Sequence, residues 1–469
     1  MKYSIVSVKN LNNEYRLDAE YFSPEILVVE KNISKHKTEI ISNFAKVIHP
    51  TEIERIYTDS GLKMILAQNV RSNSLCMDLK FCMSQNLQNI LSNNLLDYND
   101  VLITRTGANF GQTAAFKFKD KMYACADLLV VKCNQILGGY LSTFLNTKYG
   151  RLILDRGVYG AAQPHISALY IKQLKIPRFT QDFERLIDDL LNKTFNNNIL
   201  FENFYYKAKN ILLEELNIKN WTVKHKLWSV KNYSDVKDAN RFDAEYFQPK
   251  YEEILKIIKD CSNGYDILGN IVRIKKGIEV GSEEYMRNGI PFVRVSNLNK
   301  FGINKNNQQY ISQKFYDRLA LEYQPQKGEI LLSKDGTAGI AFYIDETPKK
   351  MILSGGILRL TITDSEYFPE YLTLVLNSIL VQQQIERTSS GALIQHWLIN
   401  EINSTLIPKL DIQKQREIVE KIQVSFKCRK QSKQLLEIAK RGVEIAIEQD
   451  EDIAANWINQ ELQKIGVEL

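Results

Sequence analysis

Two pairs of carboxylates invite a catalytic reading. Asp18 and Glu20 lie in RLDAEYFSPE (Arg16 to Glu25), and Asp243 and Glu245 lie in RFDAEYFQPK (Arg241 to Lys250), each pair beside an Arg and a Tyr. Such groups can exchange protons with a substrate, but general acid–base work needs a reacting partner held close by. No partner chemistry repeats around either pair, so local pairing of Asp18 with Arg16 and of Asp243 with Arg241 is the favoured reading. His165 in GAAQPHIS and His396 in GALIQHWL stand 231 positions apart, without a nucleophile or carboxylate repeating beside them. A triad is therefore unsupported. These histidines either satisfy core hydrogen bonds or, with Gln163 and Gln395, touch nucleic acid.

Other residues suit nucleic-acid contact better. TRTGANFG (Thr104 to Gly111) and SKDGTAGI (Ser333 to Ile340) each follow an apolar run, and their glycines permit tight turns or close approach to phosphate. Neither fits the ATP-binding G-x-x-x-x-G-K-[ST] pattern. Arg105 and Lys334 fall 229 positions apart and place one cation in each loop, with Thr104, Asn109, Ser333 and Thr337 as hydrogen-bonding neighbours. Arg can pair with guanine or phosphate, and Lys with phosphate; a plain β-turn is the alternative. AQNVR (Ala67 to Arg71) and RVSNLNK (Arg294 to Lys300) end apolar runs in Asn plus basic residues. Asn69 and Asn297 have the groups to bond adenine and Arg71, Arg294 and Lys300 the charge to hold phosphate, although Asn is equally common in turns.

Composition sets the bounds. The chain has 469 residues, 44% hydrophobic and 25% charged, with a formal net charge of +6. That length suffices for two or three domains, and the small excess of charge does not by itself demonstrate nucleic-acid binding. Six cysteines form no C-x-x-C pair and no ligand group with the five histidines, which suggests reduced thiols and no metal. Neither a signal peptide nor an apolar run of about 18 residues is evident. A cytoplasmic protein is expected.

The elements that must position these residues come in two copies. SVKN, R-x-DAEYF-x-P, the Gly-rich loop, GYLSTFLNT with EYLTLVLNS, and LKIPRF with TLIPKL recur in one order, at offsets rising from 222 for SVKN through 225 for R-x-DAEYF-x-P to 231. Slow drift of this kind is what loop insertions produce in a tandem duplication. After Pro177 and Pro408 the apolar period becomes helical, with Ile187, Leu191 and Phe195 opposite Ile418, Ile422 and Phe426. A helix of roughly 36 residues is about 54 Å long, so the two are expected to pair as an antiparallel coiled coil. Thr194, Asn197, Ser425 and Arg429 interrupt the seam. The expected segments are an arm (1–36), an α/β domain (37–179), a long helix (180–217), a second arm (218–254), a second α/β domain (255–410), a distal long helix (411–449) and an amphipathic tail (450–469). In the tail, Ile453, Trp457, Leu462 and Ile465 are expected on one face. Tyr21, Phe22, Tyr246 and Phe247 are expected to pack into the helices or to dock a subunit.

Two variable domains, each closed by an I-P-x-x-like end and a long helix, with S/T-[RK]-x-G-like loops and Q-P-H-I-S, resemble the specificity subunit of type I restriction-modification enzymes. The second copy departs from this pattern at Q-H-W. The resemblance implies that each domain is a target-recognition domain reading half of a gapped double-stranded DNA site. It also implies that the helices space the readers and dock two methyltransferase subunits, and that restriction/translocase subunits join them. The chain itself would be non-catalytic, with S-adenosylmethionine and ATP bound only by partners. Readers about one helical turn of DNA apart, ~34–36 Å, suit such a plan. The absence of N-P-P-Y, D-P-P-Y, G-x-G-x-x-G after a strand and a clustered nuclease carboxylate set agrees with it. A single-chain DNA-modifying enzyme and a two-domain protein-binding scaffold are the competing readings.

Overall fold

The computed structural model describes residues 19–76, 82–107, 110–160, 164–389 and 396–469. It divides into unit 1, Met1–Leu200 with Cys428–Leu469, and unit 2, Phe201–Lys427. Asp18, Asn109, Gln163 and Gln395 lie outside the described residues.

Each unit is built around a four-stranded antiparallel sheet. In unit 1 the order is Ala45–Ile48, Leu128–Cys133, Val101–Thr104, Thr113–Ala115; in unit 2 it is Val272–Lys276, Ile357–Ile362, Ile330–Ser333, Ala341–Tyr343. The architecture is mixed helix and sheet, but the central sheets are antiparallel, with strands distant in sequence as neighbours, rather than the parallel sheets of α/β folds. Parallel pairing among the described residues joins Tyr123–Ala124 to Leu62–Ile65 and Ile290–Val293 to Ile352–Leu353, with one isolated parallel bridge between Ile278 and Ser354. Both units also carry a smaller sheet, and two short helices follow the central one: Gly138–Leu145 and Lys148–Arg156 in unit 1, Pro369–Leu376 and Ile379–Thr388 in unit 2.

The prolines close these domains. Thr38–Ile40 pairs with Lys175–Pro177, and Tyr265–Ile267 with Leu406–Pro408. Proline has no N–H to continue a ladder, but its carbonyl still needs a donor in the interior. Tyr140 Oη donates to Pro177 O at 2.6 Å and Tyr371 Oη to Pro408 O at 2.7 Å, each from a fully buried ring.

Two long helices follow, Gln181–Glu215 and Ile412–Glu448, of 35 and 37 residues. In unit 1, Ile187, Leu190 and Leu191 share a buried cluster with Leu435, Ala439 and Val443; in unit 2, Ala208, Leu212 and Leu216 share one with Ile418 and Ile422. Ser432 Oγ donates to Asn198 Oδ1 at 2.6 Å in unit 1, where Ile187 also lies beside Gly442. In unit 2, Ser425 Oγ donates to Phe201 O at 2.8 Å, and Lys414 Nζ lies 2.9 Å from Glu215. One residue number falls as the other rises, so the contacting stretches run antiparallel in each unit. Buried Thr194 is also satisfied, donating to Leu190 O at 2.8 Å.

Several expected packings change. Phe195 meets Phe118 edge-on at 4.7 Å, and Phe426, packed against the cluster that holds Ile418 and Ile422, also lies 6.3 Å from Phe301, so each anchors its own unit's loops on the helix. The arm aromatics grip the short helices instead of the long ones. The Arg156 guanidinium lies 3.8 Å above the Tyr21 ring and 5.6 Å from that of Phe22, while Arg387 lies 4.5 Å above Tyr246. Such cation–π contacts favour arginine. Phe247 is buried. Arg241 Nε donates to Asp243 at 2.6 Å, and Glu245 accepts from Tyr251 Oη at 2.6 Å, so the second acidic pair braces the arm. In the C-terminal helix Glu451–Lys464 the buried stripe is Ala454, Ile458 and Leu462; Ile453 faces solvent, and Trp457 and Ile465 are partly buried. This helix packs on both long helices of unit 1, with Ile458 against Gly442 and Glu451 accepting from Thr180 N at 2.8 Å.

One buried ion pair ties the unit 1 domain to its helix. Lys117 Nζ is 2.8 Å from Asp188 Oδ1, with the two side chains 3% and 9% exposed. Removing one partner strands a buried charge, so Lys117→Ala should cost roughly 3–5 kcal/mol. Lys117→Met combined with Asp188→Leu should recover most of that loss in urea unfolding of the full chain.

Candidate nucleic-acid interface

The Gly-rich loops open where the central strand ends. Thr104 is fully buried, and its Oγ1 accepts from Gln112 N at 2.7 Å. Ser333, equally buried, accepts from Ile340 N at 2.9 Å and donates to Thr337 O at 2.6 Å. These hydroxyls close the turns from inside, while Gly107, Gly111, Gly336 and Gly339 supply the positive φ values of 87°, 69°, 66° and 85°. Thr104 and Ser333 thus brace the turns from within, with their side chains buried. Thr337 is exposed, and its carbonyl takes part in the brace.

Asn69 and Asn297 also turn inward. Asn69 Oδ1 accepts from Leu66 N at 2.9 Å and its Nδ2 donates to Cys76 O at 3.0 Å. Asn297 repeats the arrangement with Arg294 N at 3.1 Å and Asn306 O at 2.8 Å. At 5% and 0% exposure, with both amide groups engaged, neither is placed to meet a base edge. Lys300 is displaced as well. Its ammonium lies 5.2 Å from the Tyr205 ring and 4.8 Å from that of Phe301, at the helix end of unit 2.

What the structure does bring together is the loop cation and the exit histidine. Thr106 bridges to His165, and Asp335 to His396. Ile166 N donates to Arg105 O at 3.1 Å, and Trp397 N to Lys334 O at 2.9 Å. Two stretches about sixty residues apart in sequence thus form one ledge in each unit.

The ledges differ in charge. In unit 1, Arg105 Nη1 lies 3.0 Å from His49 Nε2, which also lies 3.0 Å from Ala126 O; Thr106 Oγ1 donates to Asp127 at 3.1 Å, and Arg55 lies 2.5 Å from the same carboxylate. His165 Nδ1 is buried without a hydrogen-bond partner among the described residues, its ring 6.0 Å from Tyr159. In unit 2, Lys334 Nζ donates to Asp335 Oδ2 at 2.6 Å and His396 Nδ1 to Asp335 Oδ1 at 2.8 Å. Burial works to raise the Asp335 carboxyl, but the hydrogen bonds from Lys334 and His396 outweigh it and hold the group below the ordinary carboxylate range. The Arg294 loop adjoins this ledge: a Cβ on Gly356 would meet Val295 at 2.9 Å and Asp335 at 3.3 Å. Arg294 donates to Asn307 O at 2.7 Å, and Arg71 to Val70 O at 3.0 Å with its side chain exposed. Sequence reading missed Asp127, Asp335 and His49. Asp335 had a visible signal, since it directly follows Lys334.

Among the described residues no group of three or more His, Cys, Asp or Glu is arranged to hold a metal ion, and no helix is long and apolar enough to cross a membrane. The second arm is markedly exposed: Leu227, Trp228, Val230, Tyr233 and Phe242 each exceed 75% exposure.

No family model and no curated protein matches the chain. Solved structures that align with most of it include the type I restriction-modification system S subunit from M. genitalium, with 12% identity, 91% of this chain and 95% of that one covered, and a TM-score of 0.44. The HsdS subunit from Thermoanaerobacter tengcongensis aligns at 11% identity, 88% and 97% coverage and a TM-score of 0.27. A chain from a structure of type I R-M complex assembly and conformational transition gives 11%, 91%, 97% and 0.27. These scores fall below the level at which a common fold follows from the superposition.

The lowered Asp335 carboxyl fixes a sign. Its contribution to stability is fully present above its ordinary titration near pH 3.8 and is lost as pH falls through the lower folded-state value. The melting-temperature gap between the native chain and Asp335→Asn should therefore hold from neutral pH to about pH 4 and narrow below it. A gap independent of pH would contradict the assignment.

Proposed function

We propose that the chain is a non-catalytic DNA-specificity subunit of a type I restriction-modification complex, each unit reading one half of a gapped double-stranded site. The observation that carries this reading is the repeated ledge: a loop cation and an exit histidine in the same register in both units, amid different neighbours. A common frame with unlike side chains suits two unlike half-sites, since groove-facing groups set sequence while the frame sets position. The tandem duplication and the antiparallel contacts of the long helices support a coiled-coil spacer between readers.

Partner methyltransferase subunits dock on the helices and on the exposed second arm, and restriction/translocase subunits join through them. S-adenosylmethionine and ATP are bound by those partners and not by this chain. The protein-binding scaffold reading draws on the same exposed arm, and DNA binding separates the two. With the methyltransferase partner present, footprinting should reveal two protected segments with an unprotected gap. One continuous site, or none, would sink the proposal.

Arg105→Ala should weaken recognition of one half-site by roughly ten- to a hundredfold, the order expected for one arginine–base contact. Lys334→Ala should act on the other half-site, and more weakly, because Asp335 already offsets the charge. Both effects are measured by competition binding at fixed salt, because phosphate contacts vary with ionic strength.

A further inference from the structure

We infer that Arg55 is a specificity-determining residue of unit 1, reading a guanine in its half-site, and that Asp127 is the positioning residue that aims it. The inference rests on the DNA reading above and adds a base to it.

Both ledges hold a carboxylate beside the loop cation, but they supply it from different positions. Backbone bonds fix the correspondence. Arg105 N donates to Asp127 O and Lys334 N to Gly356 O, and the residues that follow these acceptors, Leu128 and Ile357, pair with Thr104 and Ser333. Asp127 is therefore the counterpart of Gly356, and Thr106 of Asp335, each pair 229 positions apart. The acid has crossed from one side of the bridge to the other. A Cβ added to Gly356 would lie 3.3 Å from Asp335 Oδ2, so in unit 2 the Asp335 carboxylate stands beside the glycine where unit 1 has the Asp127 side chain.

The two carboxylates hold different groups. Asp335 is engaged within its own ledge, by Lys334 and His396. Asp127 accepts from Thr106 Oγ1 on Oδ1 at 3.1 Å and from Arg55 Nη2 on Oδ2 at 2.5 Å, which joins the Gly-rich loop to the segment that follows strand Ala45–Ile48. The flanking offsets, 227 from Thr38 to Tyr265 and 228 from Gly61 to Gly289, set Arg55 opposite Ser282 or Glu283, and neither is a cation. Unit 1 thus has a second guanidinium at its ledge where unit 2 has none.

The setting of Arg55 suits a base better than a phosphate. Its side chain is 40% exposed and that of Asp127 34%, and among the described residues Nη2 alone of the guanidinium hydrogen-bonds, leaving Nε–H and Nη1–H to donate. The Asp127 hydrogen bond raises the Arg55 pKa more than burial lowers it, so the group stays charged. A carboxylate partner fixes the plane of the guanidinium and offsets its charge. Offset charge weakens the pull of a phosphate, whereas directed N–H groups still match the O6 and N7 acceptors of guanine.

With the methyltransferase partner present, the native chain is footprinted, and each guanine of both protected segments is replaced in turn by 7-deazaguanine, which lacks N7. In competition binding at fixed salt, one replacement in one segment should weaken the native chain by about tenfold or more. Arg55→Lys keeps the charge and loses the fork; it should bind the native site about tenfold more weakly and become indifferent to that one replacement, with its response to the other segment unchanged. Asp127→Asn should lose the same discrimination, and Asp127→Glu should restore part of it. Two protected segments with no guanine coupled to Arg55 overturn the inference and leave the bipartite site standing. A loss in Arg55→Lys that is uniform over all sequences makes the residue a phosphate contact and overturns it as well. Failure of the native chain to protect two segments overturns instead the DNA reading on which the inference rests.

Discussion

The rest of the structure depends on how each unit is closed. One short strand entering the domain and one leaving it are hydrogen-bonded to each other, and a buried tyrosine satisfies the carbonyl of the proline that ends the second strand. Everything between the two strands is thereby a loop with pinned ends. Its internal variation, including the insertions that carry the repeat offset from 227 at Thr38 and Tyr265 to 231 at Pro177 and Pro408, stays within the domain and leaves the register of the long helix unaffected. The proline also lets the helix begin within a few residues, with no ladder to continue.

Pinned ends explain why two units of different sequence present similar ledges. The strand leading to Thr104 or Ser333 is central in its sheet and wholly buried, so the following residue emerges at a fixed place. The inward hydroxyl sets the turn, and the exit segment bridges across it. Only then do the side chains diverge: Arg105 leans on His49, whereas Lys334 and His396 share one carboxylate. Position is set by backbone and burial, and charge by whichever acid lies nearby.

Much of this was legible in the sequence, and the failures are instructive. The long helices and the proline-terminated strands follow from apolar period and from residues with few conformational options. That Arg105 and Lys334 take equivalent places, as do His165 and His396, was implicit in their offsets of 229 and 231; that each loop lies against its exit segment was not. The direction of Asn69 and Asn297 was not legible, because an asparagine at a strand end serves a turn as readily as a ligand; nearby backbone donors and acceptors turned both inward. Arg156 and Arg387 also repeat at offset 231, yet their role needed the arm rings to be seen beneath them. The tail helix was misphased because Ile453 and Ile458 both suit an apolar face. Gly442, with room for no side chain of its own, admits Ile458 and so decides between them.

The antiparallel contacts of the long helices set an order on synthesis. Unit 2 is one continuous stretch, Phe201–Lys427, but unit 1 takes its final part from Cys428–Leu469. Of the two units, the one begun first is thus the last able to complete its core: Ile187 and Leu191 lack Ala439, Val443 and Ile458 until those residues have emerged. At ~5–20 residues per second the interval from Leu200 to Ile458 lasts tens of seconds at most. During that interval an amphipathic helix stands without its apolar cover. The nascent protein is then most exposed to aggregation in its N-terminal half, and a truncation near the C-terminus would unfold the domain made first.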